Sequence, residues 1–128
     1  MTLLELAREA QSRAYCPYSQ YPVGCALEAA DGTIFTGCNI ENASYGATVC
    51  AERVALFEAV KLSHRNFRRL VICTNAATPA PPCGLCRQAL AEFCHPDLAI
   101  ILIGAHDSQI EFRFGDLFPH PFSPASLL

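Results

Sequence analysis

The sequence contains few charged residues and no long apolar segment. Only 16% of its 128 residues are charged, against about 25% in an average globular protein. With 52% hydrophobic residues, the composition excludes an intrinsically disordered chain and leaves apolar surface for a subunit interface. The longest unbroken apolar run is the six residues 98–103. A membrane-spanning helix needs about 20 such residues, so we expect no membrane span.

Long basic stretches and an export signal are also missing. The formal net charge is −3, so binding to nucleic acid through electrostatic attraction is not expected. Glu5, Arg8 and Glu9 stand where a secretion signal needs apolar residues. We therefore expect a cytoplasmic protein. In that reducing compartment, cysteines serve as metal ligands, catalytic groups or core residues rather than as disulfides.

Hydrophobic periodicity predicts alternating strands and helices within a single domain, residues 1–128. Thr2 and Glu5 form a capping-box signal for a helix that is expected to run to about Tyr15 and to stop before Pro17. Five strands are then predicted, at 23–29, 33–38, 70–74, 98–103 and 110–114, with helices at 50–62 and 84–93. The tail from Asp116 is predicted to be irregular.

The order of these elements indicates the fold class. A turn at Asp31-Gly32 joins the first two strands into an antiparallel hairpin. The later strands alternate with helices, which favours parallel strand pairs with helices on both faces of the sheet. The sequence therefore predicts an α/β protein with a mixed, five-stranded sheet.

Three cysteines lie at the starts of predicted helices. Cys50 begins one helix, and Cys83 and Cys86, spaced C-x-x-C, begin the next. The N–H groups and positive dipole of a helix start favour thiolate, which is a zinc ligand. Structural zinc usually has four protein ligands, whereas catalytic zinc has three and leaves a position for water. Because three cysteines are available, the sequence predicts a catalytic site with one Zn²⁺ per chain. Glu52, in the first turn, would then act as the acid/base group on zinc-bound water.

Other roles for these cysteines remain open at this point. A C-x-x-C pair also occurs as a redox motif or as half of a structural zinc site. Cys94 or His95 could supply a fourth ligand and make the protein a non-enzymatic zinc module. However, Cys94 lies eight residues after Cys86, which is about 12 Å along an unbroken helix. The cysteines in or beside strands are expected to pack as small hydrophobic residues: Cys16, Cys25, Cys38 and Cys73.

Cys50-Ala51-Glu52 with Pro82-Cys83-x-x-Cys86 resembles the signature of zinc-dependent nucleoside and nucleobase deaminases. The resemblance extends over nearly the whole chain to the small, homotetrameric cytidine deaminases. The other matching motifs are Tyr15-x-Pro17-Tyr18-Ser19, Val23-Gly24, Gly37-Cys38-Asn39-Ile40-Glu41-Asn42-Ala43, Arg53, Gly84, Arg87-Gln88 and Phe118-Pro119 followed by Phe122. The resemblance implies a three-layer α/β/α sandwich. It also implies hydrolytic deamination of cytidine and 2′-deoxycytidine to the uridines and ammonia, in pyrimidine salvage.

The resemblance assigns four residues to substrate binding in the same chain. Asn39 and Glu41 would bind the ribose 3′-hydroxyl, which an amide donor and a carboxylate acceptor can bond together. Tyr21 stands at a position that is usually Phe and would flank the pyrimidine ring. Ala51 would also contact the substrate. An alternative is a deaminase for another aminopyrimidine nucleoside, such as one like blasticidin S.

Three further residues receive roles from the resemblance. Arg53 would donate hydrogen bonds to the zinc-bound sulfurs, which draws charge from the metal and lowers the pKa of its water. Tyr45 and Phe122 would reach into a neighbour's active site within a homotetramer. The sequence departs from the family pattern at three places, none of which removes a zinc ligand or Glu52: Pro81, Leu85 and Pro121.

Overall fold

The computed structural model describes residues 1–127. Its helices and strands, in chain order, are α1 (Leu3–Gln11), β1 (Gly24–Ala29), β2 (Ile34–Cys38), α2 (Ala51–Lys61), β3 (Phe67–Cys73), α3 (Gly84–Phe93), β4 (Ala99–Ile103), β5 (Gln109–Arg113) and α4 (Phe114–Leu117). Short 3₁₀ turns occur at Tyr45–Ala47, Ala105–Asp107 and Pro124–Leu127. In this part of the chain, no helix is both long and apolar enough to cross a membrane.

The five strands form a mixed sheet in the order β2-β1-β3-β4-β5. β3 and β4 are parallel, and the other neighbouring pairs are antiparallel. Every residue of β1 is buried, because its side chains alternate between two covered faces. Ala26 packs towards Ala7 of α1, whereas Leu27 packs with Leu56 of α2 and Leu90 of α3. These contacts confirm the three-layer α/β/α sandwich.

The strand directions bring the starts of two helices to one edge of the sheet. β2 and β3 are both antiparallel to the strand between them, β1. They therefore run in the same direction, and their carboxyl ends, Cys38 and Cys73, lie at the same edge. α2 follows β2 and α3 follows β3, so the chain enters both helices from this edge.

The predicted extension of the first helix to Tyr15 is wrong. α1 ends at Gln11, and the next turn tightens because Arg13 and Ala14 donate backbone hydrogen bonds to residues three positions earlier. Tyr15 is then held in extended backbone by hydrogen bonds with distant residues. Its N–H donates to the Asn39 carbonyl (3.0 Å), and its carbonyl accepts from the Glu41 N–H (2.8 Å). This long-range pairing outweighs the local helical pattern.

Two other regions differ from the prediction by more than one residue. β3 begins at Phe67 rather than at residue 70, because Phe67 and Arg69 pair with Ala29 and Glu28 of β1, with Arg68 at an irregularity between them. Glu28 Oε2 of β1 accepts a hydrogen bond from Arg68 Nη2 (3.1 Å). Its Oε1 forms ion pairs with the Nε atoms of Arg68 and Arg69, at 3.1 and 2.6 Å. The tail is less irregular than predicted, since α4 includes Asp116.

Candidate metal centre and substrate pocket

The three cysteines singled out in the sequence converge at the shared sheet edge. Cys50 and Cys83 are the N-caps of α2 and α3, and Cys86 lies in the first turn of α3. Their Sγ atoms all lie within 4.8 Å of one another, and those of Cys50 and Cys83 are 3.6 Å apart. Tetrahedral zinc with Zn–S bonds of about 2.3 Å requires sulfurs about 3.8 Å apart. The cluster therefore fits one Zn²⁺.

The charges around the cluster favour thiolate at Cys50. A hydrogen bond from Cys86, together with bonds from Arg53 and Cys83, lowers the pKa of Cys50 to about 5. The same bond raises the pKa of Cys86, because the proton it donates is held by the neighbouring thiolate. Arg53 Nη2 lies 3.6 Å from Cys50 Sγ. The guanidinium thus adds a positive charge to a site where negative sulfurs accumulate.

Glu52 is a buried carboxylate beside this cluster. It belongs to the first turn of α2 and is only 5% exposed. Burial is the main cause that raises the pKa of Glu52, and the charge of Cys50 raises it further. A carboxyl group with a raised pKa can both accept and donate a proton near neutral pH, which is what acid/base catalysis needs.

A cavity of about 350 Å³ connects Glu52 with most of the residues predicted to bind substrate. Its size is within the range of small-molecule sites. The lining includes every residue to which the sequence assigns a role in the pocket of its own chain, apart from Cys86 and Arg53: Tyr21, Asn39, Glu41, Cys50, Ala51, Glu52 and Cys83. Pro81, one of the departures from the family pattern, also lines it. The structure therefore brings two thiols, the buried carboxylate and an amide–carboxylate pair to one pocket.

Asn39 and Glu41 also make hydrogen bonds within the protein. Asn39 Nδ2 donates to the Tyr21 carbonyl (2.8 Å), and its Oδ1 accepts from the Val23 N–H (2.9 Å). Glu41 accepts from the backbone N–H and the hydroxyl of Ser19. The hydroxyl bond is the first of the causes that lower the pKa of Glu41. The Asn39 amide retains a second N–H, and the Glu41 carboxylate retains lone pairs, so both can still bind a ligand hydroxyl.

Tyr45 and Phe122 lie outside this pocket in their own chain. Their side chains are 76% and 58% exposed. Tyr45 lines a neighbouring cavity of about 370 Å³ with Tyr18, whose ring centroid is 5.9 Å away. The carbonyl of Phe122 accepts from Gln88 Nε2 on α3 (2.9 Å). The single chain thus leaves both rings exposed rather than placing them over Glu52.

Sequence reasoning gave no role to several pocket residues. Ser19 and Thr48 line both cavities, and Thr74 lines the pocket at the carboxyl end of β3. A signal existed for Thr74, because polar residues directly after buried strands often line ligand sites in α/β folds. Ser19 lay within a matched motif but carried no chemical argument of its own.

The structure excludes Cys94 as a fourth ligand. α3 is continuous, and Cys94 is its C-cap, so the helix separates it from Cys86. The Cys94 side chain packs in the core instead. His95 is exposed, and its Nδ1 accepts from the Asp97 N–H (3.0 Å). Among residues 1–127, the only group of three or more metal-ligating side chains is the one formed by Cys50, Cys83 and Cys86.

Replacing Cys83 with alanine is expected to remove most of the bound zinc. The exposed Cys83 thiol is one of only three donors, so two thiols would remain. Metal analysis of the purified protein should show one zinc per chain in the wild type and far less in Cys83→Ala. Cys94→Ala is the matched control and should keep its zinc. Stoichiometric zinc in Cys83→Ala would show that the ligand assignment is wrong.

The pocket and cluster have counterparts in known proteins. A family profile described as "Cytidine and deoxycytidylate deaminase zinc-binding region" matches residues 1–102. The cytidine deaminase of Sporosarcina psychrophila is 43% identical over 98% of this chain and 92% of its own length. That of Halalkalibacterium halodurans is 41% identical over 94% of this chain and 92% of its own.

A solved structure agrees with this relationship. The 1.6 Å crystal structure of cytidine deaminase from Burkholderia pseudomallei superposes with a TM-score of 0.91, at 42% identity over 95% of this chain and 100% of that one. The matched profile is a zinc-binding region, and the three-thiol cluster fits one zinc ion per chain. With the profile covering more than half of the sequence and relatives matching nearly all of it, this chain belongs to the cytidine deaminase family.

Proposed function

We propose that this protein hydrolyses the 4-amino group of cytidine and 2′-deoxycytidine and acts in pyrimidine salvage. The reaction consumes one water, breaks the C4–N bond, forms a C4–O bond and yields a uridine and ammonia. One observation carries the proposal: the buried carboxylate of Glu52 lines the same cavity as Cys50 and Cys83 of the metal cluster. The relatives named cytidine deaminases support it.

Glu52 is proposed to move both protons of the reaction. It accepts the first proton of the attacking water and delivers it to N3 of the pyrimidine ring. It then carries the second proton to the departing amine, which leaves as ammonia. Zinc, when bound by Cys50, Cys83 and Cys86, supplies a Lewis acid that lowers the pKa of that water. The raised pKa of Glu52 suits a group that must hold a proton between two transfers.

Arg53 is proposed to balance the charge of the ligands. Three thiolates carry one negative charge more than Zn²⁺ neutralises, which opposes ionisation of water. The Arg53 guanidinium, 3.6 Å from Cys50 Sγ, withdraws charge from that sulfur and so favours ionisation. This contact makes Arg53 part of the metal environment without making it a ligand.

Asn39 and Glu41 are proposed to bind the 3′-hydroxyl of the sugar. Both line the pocket, and both retain hydrogen-bonding capacity after their contacts within the chain. Tyr21 and Ala51 line the same pocket and would contact the pyrimidine. A site with polar groups placed for a hydroxyl discriminates against ligands that lack it. This argument favours a nucleoside over the free base.

A homotetramer with shared active sites is the proposed assembly. Tyr45 and Phe122 are exposed and lie outside the pocket of their own chain, so a neighbouring chain is where they could serve. Closed symmetry allows one pair of interfaces to repeat through four chains. The proposed location is the cytoplasm, where cysteines stay reduced, and the eight cysteines are not paired in disulfides.

Purified protein is expected to deaminate cytidine and 2′-deoxycytidine. The reaction is measured by the change in ultraviolet absorbance. Cytosine should react at least about a hundredfold less efficiently, because it cannot use the sugar contacts. Deoxycytidine 5′-phosphate should also react poorly, since the pocket lining contains Glu41 and Glu52 but no Lys or Arg. Faster turnover of cytosine or of the phosphate would contradict the proposal. Faster turnover of blasticidin S would favour the alternative nucleoside.

Glu52→Gln is expected to lower kcat by about 10³-fold or more, because an amide keeps the shape of the carboxyl group but cannot transfer a proton. Zinc content and the unfolding midpoint should stay close to those of the wild type. Glu58→Gln, on the exposed side of the same helix, is the control and should keep full activity. If Glu52→Gln loses its zinc, the carboxylate is a metal ligand rather than the acid/base group.

Phe122→Ala is expected to raise the KM for cytidine about tenfold while the chain still folds, because the exposed ring contributes to binding only at an interface. Light scattering of the wild type should give a mass near four chains. Ile110→Ala removes an exposed apolar side chain of the edge strand β5 and should leave KM unchanged. A fully active monomer at assay concentration would rule out the shared site.

A further inference from the structure

Helix α1 contributes no residue to the described pocket lining. One of its polar side chains, that of Gln11, is nevertheless buried next to residues that form the lining. Gln11 is 8% exposed. Its Nε2 donates to the carbonyl of Pro22 and to Oδ1 of Asn75, both at 3.1 Å. Pro22 lies between Tyr21 and Val23, which both line the pocket. One amide therefore connects the segment before β1 to the segment after β3.

Arg8 orients this amide and also donates hydrogen bonds to the residues that directly follow β3 and β4. Arg8 Nη1 donates to Gln11 Oε1 (2.9 Å) and to the Thr74 carbonyl (3.0 Å). Arg8 Nη2 donates to the Gly104 carbonyl (2.7 Å) and to Asp107 Oδ1 (3.0 Å). Because Nη1 donates to Oε1 of Gln11, the side-chain amide of Gln11 must present its Nε2 to Pro22 and Asn75.

The backbone of α1 approaches the start of β1 too closely to admit a side chain between them. Gly24, the first residue of β1, lies so close to the helix that a Cβ there would be 2.2 Å from the Ala7 carbonyl and 2.3 Å from the Gln11 N–H nitrogen. The helix and the start of β1 are thus in direct backbone contact. Gln11 therefore lies in backbone contact with the residue that directly follows the pocket wall of residues 21–23.

We propose that Gln11, oriented by Arg8, is a positioning residue that sets the binding wall formed by residues 21–23 and by Thr74. This inference rests on the proposed function, because it assigns the wall to nucleoside binding. Gln11 acts through Pro22 on the neighbouring ring of Tyr21. The acid/base group and the cysteines belong to α2 and α3, on the opposite face of the sheet. Loss of the Gln11 contacts should therefore weaken substrate binding and leave the chemical step intact.

Gln11→Met tests the proposal, because methionine fills similar space without donating to Pro22 or Asn75. The Pro22 carbonyl and Asn75 Oδ1 would lose their donor, and we expect the KM for cytidine to rise about tenfold. The value of kcat and the zinc content should stay within about twofold of the wild type. Arg13→Met, an exposed position of the turn that follows α1, is the matched control and should change neither constant. Loss of kcat and of zinc in parallel with KM would overturn the proposal.

A double-mutant cycle separates positioning from general stability. Tyr21→Ala removes the ring through which Gln11 is proposed to act. If the proposal holds, Gln11→Met should raise KM much less in the Tyr21→Ala background than alone. Equal effects in both backgrounds would overturn it, because destabilisation of the fold would not depend on the ring. Should Gln11→Met fail to fold, Arg8→Lys replaces it, since lysine cannot bridge Gln11, Thr74 and Gly104 together.

Amide hydrogen exchange provides a readout that does not depend on activity. In Gln11→Met, exchange at Tyr21 and Val23 should accelerate, while exchange within α3 should stay unchanged. Unaltered exchange at Tyr21 and Val23 would overturn the positioning role. Failure of the wild type to act on cytidine, with accelerated exchange in the variant, would contradict the proposed function and not the contact between Gln11 and the wall.

Discussion

The metal centre depends on the direction of two strands that do not touch each other. β2 and β3 flank β1 and are both antiparallel to it, so they deliver the chain to the same edge of the sheet. Each is followed by a helix whose N-cap is a cysteine. Reversal of either strand would place Cys50 and Cys83 at opposite ends of the sheet, too far apart to share one ion. The topology thus creates a site from residues 33 positions apart.

Two acidic groups in the site have pKa values that are shifted in opposite directions. Burial raises the pKa of Glu52, and the charge of Cys50 adds to that effect. Hydrogen bonds around Cys50, meanwhile, lower its pKa. Negative charge on a thiolate and on a carboxylate beside it would be costly in a buried site without positive charge nearby. Arg53 and the zinc ion that the cluster fits provide that charge, so the cysteines, the arginine and the glutamate form one electrostatic unit.

The pocket wall has a different construction from the metal centre. Its polar side chains are held by hydrogen bonds between loops, as when Asn39 spans Tyr21 and Val23. Gln11 holds the same segment from the other side, through Pro22. A loop constrained from both sides loses little conformational freedom when a ligand binds, which favours affinity. The starts of α2 and α3 therefore hold the thiols and the buried carboxylate, and the loops together with α1 hold the pocket wall.

Local sequence patterns were enough to predict the fold class and the three zinc ligands. The periodicity of the strands predicted the mixed sheet, and the spacing around Cys83 predicted a cluster that the structure contains. Both predictions succeeded because they depend on patterns of residues that are close together in the sequence. The tertiary structure alone decided the end of α1 at Gln11, because the backbone of Tyr15 pairs with residues distant in the chain. It also decided that Gln11 of α1 contacts Pro22 and Asn75. Such contacts depend on which distant segments the completed fold brings together, and local sequence patterns do not indicate those segments.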